Sequence, residues 1–198
     1  MVTRPISSRP ELAPALHRLC DELTRRLPAL SSVDARRILI VTGQARGAAR
    51  ASIRSLCRPG LPLQVRLGRQ SALYELTLRP LWFRQSTPER RLEALLHELW
   101  HIDPERPGSL AAQRRHRALA PRQTRRALDR LFADARARLG PETAACLAID
   151  GEVLMPAWLT RPVLTGEPQR RHSYGPRDLF LQPVMMITRP LKIDTTTE

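Results

Sequence analysis

The sequence predicts an α+β domain, a small mixed sheet packed on one central helix with further helices on either side. Three observations lead there. Leu12, Leu16, Leu19, Leu23 and Leu27 recur at helical spacing near the start, and Arg36 to Thr42 contains an unbroken apolar, β-branched run. Further on, Leu92, Leu95, Leu96, Leu99 and Ile102 gather on one side of a helical projection while His97 and His101 fall on the other. At 198 residues and 42% hydrophobic, the chain is long enough for one domain with its own core.

Taken in order, residues 10 to 28 read as the first helix, opened by Pro10 and Glu11 and closed by Pro28. Arg36 to Thr42 suits a strand buried on both faces. Gly43 and Gly47 follow it without G-K-[ST] or G-x-G-x-x-G spacing, so no nucleotide site is indicated. Ala51 to Cys57 reads as another strand before the Arg58-Pro59-Gly60 turn. Leu63 to Leu67 and Tyr74 to Leu78 alternate apolar and polar residues around a turn at Gly68 to Ser71, the pattern of a hairpin with one face on a core. Its second strand leads into the central helix, and it reads either as a plain hairpin strand or as the border of a cleft that holds an extended peptide.

The central helix has a legible start, an S-x-x-E capping box from Ser86 to Glu89 with Pro88 in the first turn. Asp103-Pro104 stops it. Ser109 to Ala120 and about Arg122 to Leu139 read as two more helices, the second with Leu128, Leu131, Phe132, Ala135 and Leu139 on one face. Past Gly140-Pro141, Ala144 to Ile149 and Glu152 to Leu154 read as a hairpin turning at Asp150-Gly151. From Pro156 a proline recurs every six to eight residues, which excludes long helices. The expected organisation is a domain over 1–140, followed over 141–198 by a C-terminal hairpin and a proline-rich extended segment, packed on the domain or partly disordered.

The chemistry sits in Leu95-Leu96-His97-Glu98-Leu99-Trp100-His101-Ile102, an H-E-x-x-H pattern. Positions i and i+4 lie one helical turn apart on one face, so both imidazoles reach one Zn2+ at about 2.0–2.1 Å from each nitrogen. Glu98 stands beside the ion as the candidate catalytic base, since zinc lowers the pKa of a bound water to about 7. The plainer reading is an amphipathic helix with two surface histidines.

Catalytic zinc takes three protein ligands, and the motif supplies two. His116, fifteen residues after His101, is the leading candidate for the third; His172, His17 and the carboxylates of Asp129, Asp134 and Glu142 are its competitors. An isolated histidine among Arg114, Arg115 and Arg117 also reads as an exposed member of a basic run. Tyr174 is a weak candidate for stabilising an oxyanion.

Thirty-three basic residues against nineteen acidic give a net charge of +14, and Lys192 is the only lysine. Nine arginines lie between Arg114 and Arg138 against Asp129 and Asp134, a net +7. Guanidinium groups bind phosphate in a bidentate manner, so nucleic acid is a candidate partner for this face; the plainer reading is a solvated helix surface. Few aromatics and no recognition motif speak against base reading. Cys20, Cys57 and Cys146 are odd in number and lack C-x-x-C spacing, and they read as buried small hydrophobes rather than disulfide or zinc cysteines. With no run of eighteen apolar residues and nothing like a signal peptide in Met1 to Pro10, a soluble cytoplasmic protein without a membrane partner is expected.

The order of an N-terminal helix, the strand leading into Gln44-Ala45-Arg46, a hairpin, and then Leu-x-His-Glu-Leu-x-His-Ile followed by Pro-Glu resembles phage-related and SprT-like minimal zincin metallopeptidases of bacteria. The resemblance covers roughly residues 10 to 140, and its specific part is the motif helix. It implies a zincin-like α+β domain that hydrolyses protein or peptide substrates, with His97 and His101 as zinc ligands, Glu98 as general base and a third histidine downstream. Relatives tend to carry a histidine-rich segment there, whereas here His116 stands alone among arginines. The rival expectation is a non-enzymatic, zinc-stabilised nucleic-acid-binding protein; a SprT-like DNA-associated protease combines the two.

Overall fold

The leucines near the start fold as helix α1, Leu12–Arg26, with Leu12, Leu16, Leu19 and Leu23 wholly buried. The computed structural model describes residues 9–43, 50–57, 64–67, 69–114, 121–162 and 173–187. After α1 come β1 (Ile38–Thr42), β2 (Ala51–Ser55), β3 (Gln64–Leu67), β4 (Gln70–Ser71) and β5 (Tyr74–Leu78). Helices α2 (Pro80–Arg84), α3 (Pro88–Trp100), α4 (Pro121–Arg138) and α5 (Pro141–Ala144) follow, then strands β6 (Gly151–Trp158), β7 (Ser173–Tyr174) and β8 (Leu179–Met186). The architecture is α+β with small mixed sheets. Among the described residues no helix is long and apolar enough to cross a membrane.

The main sheet has the order β1-β5-β2, with β1 parallel and β2 antiparallel to β5. Side chains alternate across a strand, and the alternation separates two cores. Ile38, Ile40, Ile53, Tyr74, Leu76 and Leu78 face the main core with α1, α3 and α4. Leu39 and Val41 face a smaller cluster with Leu56, Val65 and Ala72, against which Trp158, Tyr174 and Leu179 pack. Leu147, Val153, Met155, Val184 and Met186 join the main core, so it draws side chains from both sides of residue 140.

The hairpin expected from 63–67 and 74–78 does not form. Val65 to Leu67 turns back onto the short β4, and β5 becomes the central strand, buried at all five positions. Its alternating polar residues do not face water. Glu75 accepts from Arg54 Nη2, Trp158 Nε1, Thr77 Oγ1 and Arg161 Nε and Nη2, and is fully buried among them. Burial alone raises the Glu75 pKa, but the charges and hydrogen bonds of Arg54 and Arg161 outweigh it and hold the carboxyl below its ordinary value.

Three further expectations are corrected. The stretch 144–149 is α5 and a 3-10 turn rather than a strand, and β6 finds its partner in β8, with Gly151 opposite Met186 and Trp158 opposite Leu179. Leu154 N donates to Pro10 O, so the Leu154–Pro183 pair is of the non-hydrogen-bonded kind, and the N–H that Pro183 lacks belongs to the outer edge of β8. Of the helix expected over 109–120, the described part is a bridge at Leu110 and a 3-10 turn at Ala112–Arg114; 115–120 lie outside the described residues. Cys20 is buried as expected and Cys146 partly so, but Cys57 is exposed.

Candidate metal centre and cleft

Helix α3 begins one residue later than the capping box implies. Pro88 at the first helical position makes Thr87 the N-cap, its hydroxyl accepting from Arg90 N at 3.3 Å, while Ser86 Oγ turns inward to Phe83 O. Leu95, Leu96 and Leu99 have no exposed surface, and Ile102 continues their face past the helix end. Arg91 fixes the first half from inside: fully buried, it donates to the carbonyls of Phe83, Arg84, Leu147, Ile149 and Ile187. No carboxylate is among these acceptors, so the guanidinium serves as a five-donor hub for main chain.

On the opposite face, His97 Nε2 and His101 Nε2 converge to 3.2 Å, their rings edge-on at 81° with centroids 4.9 Å apart. Two nitrogens each about 2.05 Å from a tetrahedral Zn2+ would lie about 3.3 Å apart, so the pair fits one ion. Without a cation, one ring at this distance must donate and the other accept. His101 is the C-cap of α3 and keeps a helical backbone, which preserves the one-turn offset although the helix ends at Trp100.

Glu98 accepts a 2.8 Å hydrogen bond at Oε2 from the main-chain amide of Ile53 in β2. The register explains why that amide is available. Arg79 N donates to Arg50 O and Leu56 N to Leu73 O, so the even-numbered residues pair with β5, and the backbone groups of Ala51, Ile53 and Ser55 point away from it. Burial pushes the Glu98 carboxyl up to about 7, with the Ile53 hydrogen bond pulling partly the other way.

The chain beyond His101 is strapped back onto this assembly. Tyr74 Oη accepts from Gly108 N at 2.6 Å and donates to Ser109 O, and Ser55 Oγ donates to Gly108 O. Gly108 has φ 85°, a backbone conformation that favours glycine, and a Cβ there would stand close to Cys57 Cβ, at 3.1 Å. Ala111 N donates to His101 O. Arg114 then donates to Trp100 O at 2.8 Å and Ile102 O at 3.3 Å, with its guanidinium 5.4 Å from the Trp100 ring centroid. Position 114 is thereby tied to both neighbours of His101. Further along, Thr124 and Leu128 of α4 share a groove with His97.

His116 and His172 lie outside the described residues. Among the described residues no group of three His, Cys, Asp or Glu side chains is placed to hold a metal. His17 is half-buried in α1 and hydrogen-bonds backbone at Ala35; desolvation lowers its pKa despite that bond. Asp129 lines the groove beside His97, Glu142 lines a separate groove against α1, and Asp134 is exposed on α4. Tyr174 stacks edge-on against Trp158 at 5.9 Å in the smaller cluster, on the face of the sheet away from α3. The sequence reading did not find Ile53 or Arg114. An amide on a strand edge leaves no compositional trace, and Arg114 is one arginine in a basic run.

No protein-family model matches the chain, and neither a curated protein nor a solved structure matches it.

Proposed function

We propose that the chain is a zinc metallopeptidase in which His97, His101 and His116 hold the ion and Glu98 is the general base. The observation that carries this reading is the 3.2 Å convergence of two imidazole nitrogens on a helix whose intervening glutamate is anchored by a strand amide. Zinc, when bound, supplies Lewis acidity that polarises a carbonyl and makes water acidic near neutral pH. One oxygen of Glu98 is held by the Ile53 amide. The carboxylate accepts the proton of the attacking water and delivers it to the leaving nitrogen, returning to its starting state. The guanidinium of Arg114, which precedes His116 by two residues in the sequence, is bonded on either side of His101.

The test uses the purified full chain with zinc restored. Zinc retained by wild type and by Glu98→Gln, with casein cleaved by wild type and at least about 100-fold slower by the variant, is the expected outcome. Equal turnover by both forms excludes Glu98 as the base, and failure to retain zinc excludes the metal site.

One observation favours a second activity, nucleic-acid binding by the arginine face. Arg114 is used on backbone carbonyls, Arg136 pairs with Glu93 at 3.0 Å, and Arg138 reaches Arg26 O. Arg122, Arg126 and Arg130 instead form an exposed ridge on α4, rising about 6 Å per step. Phosphate binding there, together with peptidase activity, makes a DNA-associated protease; without that activity the zinc is structural.

A further inference from the structure

Helix α3 ends with carbonyls in need of donors, and the sequence removes the ordinary ones. One turn past Trp100, Asp103 N is taken by Ser109 O and Pro104 has no N–H, so neither can serve Trp100 O. His101 is the C-cap, past the last helical residue. Its carbonyl and the two beside it therefore depend on the chain that returns over them.

The segment 111–114 meets all three. Ala111 N donates to His101 O at 2.9 Å, and a single nitrogen of Arg114, Nη1, donates to Trp100 O at 2.8 Å and to Ile102 O at 3.3 Å. Arg114 N closes a 3-10 turn on Ala111 O, which links the two donors of this segment to each other. The same guanidinium lies 5.4 Å from the Trp100 ring centroid, and the Trp100 ring stands 5.7 Å from the His101 ring at 52°. The indole is buried, so it gives the imidazole a fixed neighbour.

An ordinary helix cap needs one carbonyl. Here one side chain holds the carbonyls on both sides of a candidate ligand and stacks on the ring beside it. A planar, weakly hydrated guanidinium suits that combination better than an ammonium. Charge alone would act the other way, because a cation in this neighbourhood opposes a dication.

We propose that Arg114 is the positioning residue of the metal site, holding His101 so that its Nε2 converges with that of His97 on one ion. The proposal rests on the zinc-binding part of the peptidase reading. Loosening a ligand in this way corresponds to a loss of about 10- to 100-fold in metal affinity.

The full chain is compared as wild type, Arg114→Ala, Arg114→Lys and Arg177→Ala, the last an exposed arginine that controls for net charge. Zinc affinity is read by competition with a chromophoric chelator, and ligand geometry by the visible absorption of bound cobalt at saturation. Arg114→Ala should bind zinc about 10- to 100-fold more weakly, with an altered cobalt spectrum, and added methylguanidinium should restore both. Arg177→Ala should stay within about twofold of wild type, its charge being screened. Arg114→Lys should fall between, at least about threefold weaker than wild type. Should Arg114→Ala fail to fold, the lysine variant carries the test, and wild-type affinity in it overturns the proposal. Zinc affinity unchanged or raised in a folded Arg114→Ala also overturns it, the raised value marking charge repulsion. So does a weaker affinity that leaves the cobalt spectrum of wild type. Casein cleavage separates this proposal from the peptidase reading: zinc bound without cleavage by wild type removes the peptidase and keeps the role of Arg114, whereas zinc affinity and cleavage intact in Arg114→Ala do the reverse. A wild type that binds no zinc removes both.

Discussion

The amide of Ile53 and the carboxylate of Glu98 meet at 2.8 Å across the edge of the main sheet, tying the candidate base to a strand that the motif does not contain. Ile53 faces away from β5, so Ile53→Pro removes the donor without removing a ladder hydrogen bond. Peptidase kcat should fall at least about 10-fold while KM and zinc content stay within twofold, since one orienting contact is lost. Ile53→Val keeps the amide and should match wild type.

Removing His116 should empty the site. His116→Ala is expected to drop zinc stoichiometry, measured by elemental analysis after dialysis, to the level of His97→Ala, because two ligands leave a tetrahedral ion half-held. His17→Ala and His172→Ala should keep a full equivalent. Retention of zinc by the His116 variant would move the third ligand elsewhere.

Glu75 holds the centre of the smaller face, and its pH dependence has a defined sign. Its folded-state pKa lies below the ordinary 4.5, so its stabilisation is fully present above that value and is lost as pH falls through the folded pKa. Glu75→Gln should cost about 3 kcal/mol in urea unfolding at pH 7, at the lower end for a broken buried pair because Arg161 keeps some solvent contact. The gap between variant and wild type should narrow steadily below pH 4.5.

Arg91→Met tests the hub under the motif helix. Five carbonyls lose the Arg91 donor, Phe83 O keeping Ser86 Oγ and Arg84 O keeping Ile187 N, and a loss of at least about 3 kcal/mol is expected by chemical denaturation. Arg91→Lys should recover little, since an ammonium has three donors on a single nitrogen.

Replacing Arg122, Arg126 and Arg130 by alanine tests the ridge. If they contact phosphate, the slope of log affinity for duplex DNA against log salt should flatten by about 3, while peptide cleavage in the absence of DNA is unchanged. An unaltered slope places any phosphate contacts elsewhere.

The parts of the fold visible in the sequence were those whose pattern comes from local burial. The leucine face of α1, the apolar run of β1 and the division of α3 into a leucine face and a histidine face all appear where periodicity puts them. Misreadings arose where a distant residue changed what a local pattern meant. Glu75 and Thr77 look like the outer positions of a half-exposed strand, and only Arg54, Trp158 and Arg161 make their burial tolerable. Thr87 and Ser86 are both good caps, and Pro88 decides between them. β6 and β8 are separated by the stretch 159–178, so no short turn announces their pairing. For the site, spacing predicts the convergence of His97 and His101 but not the anchor at Ile53.

The Arg91 hub also bears on the order in which the site matures during synthesis. Its acceptors at Phe83 and Arg84 emerge before the motif, those at Leu147 and Ile149 some fifty residues after it, and that at Ile187 close to the end. A nascent chain that has exposed only His97 to His101 holds the histidine pair on a helix whose inner end is still unsecured. Full seating of that helix waits for the residue that follows β8. Chains of increasing length, each followed by a linker long enough to fill the exit tunnel, should therefore gain zinc retention late, once residue 187 is included.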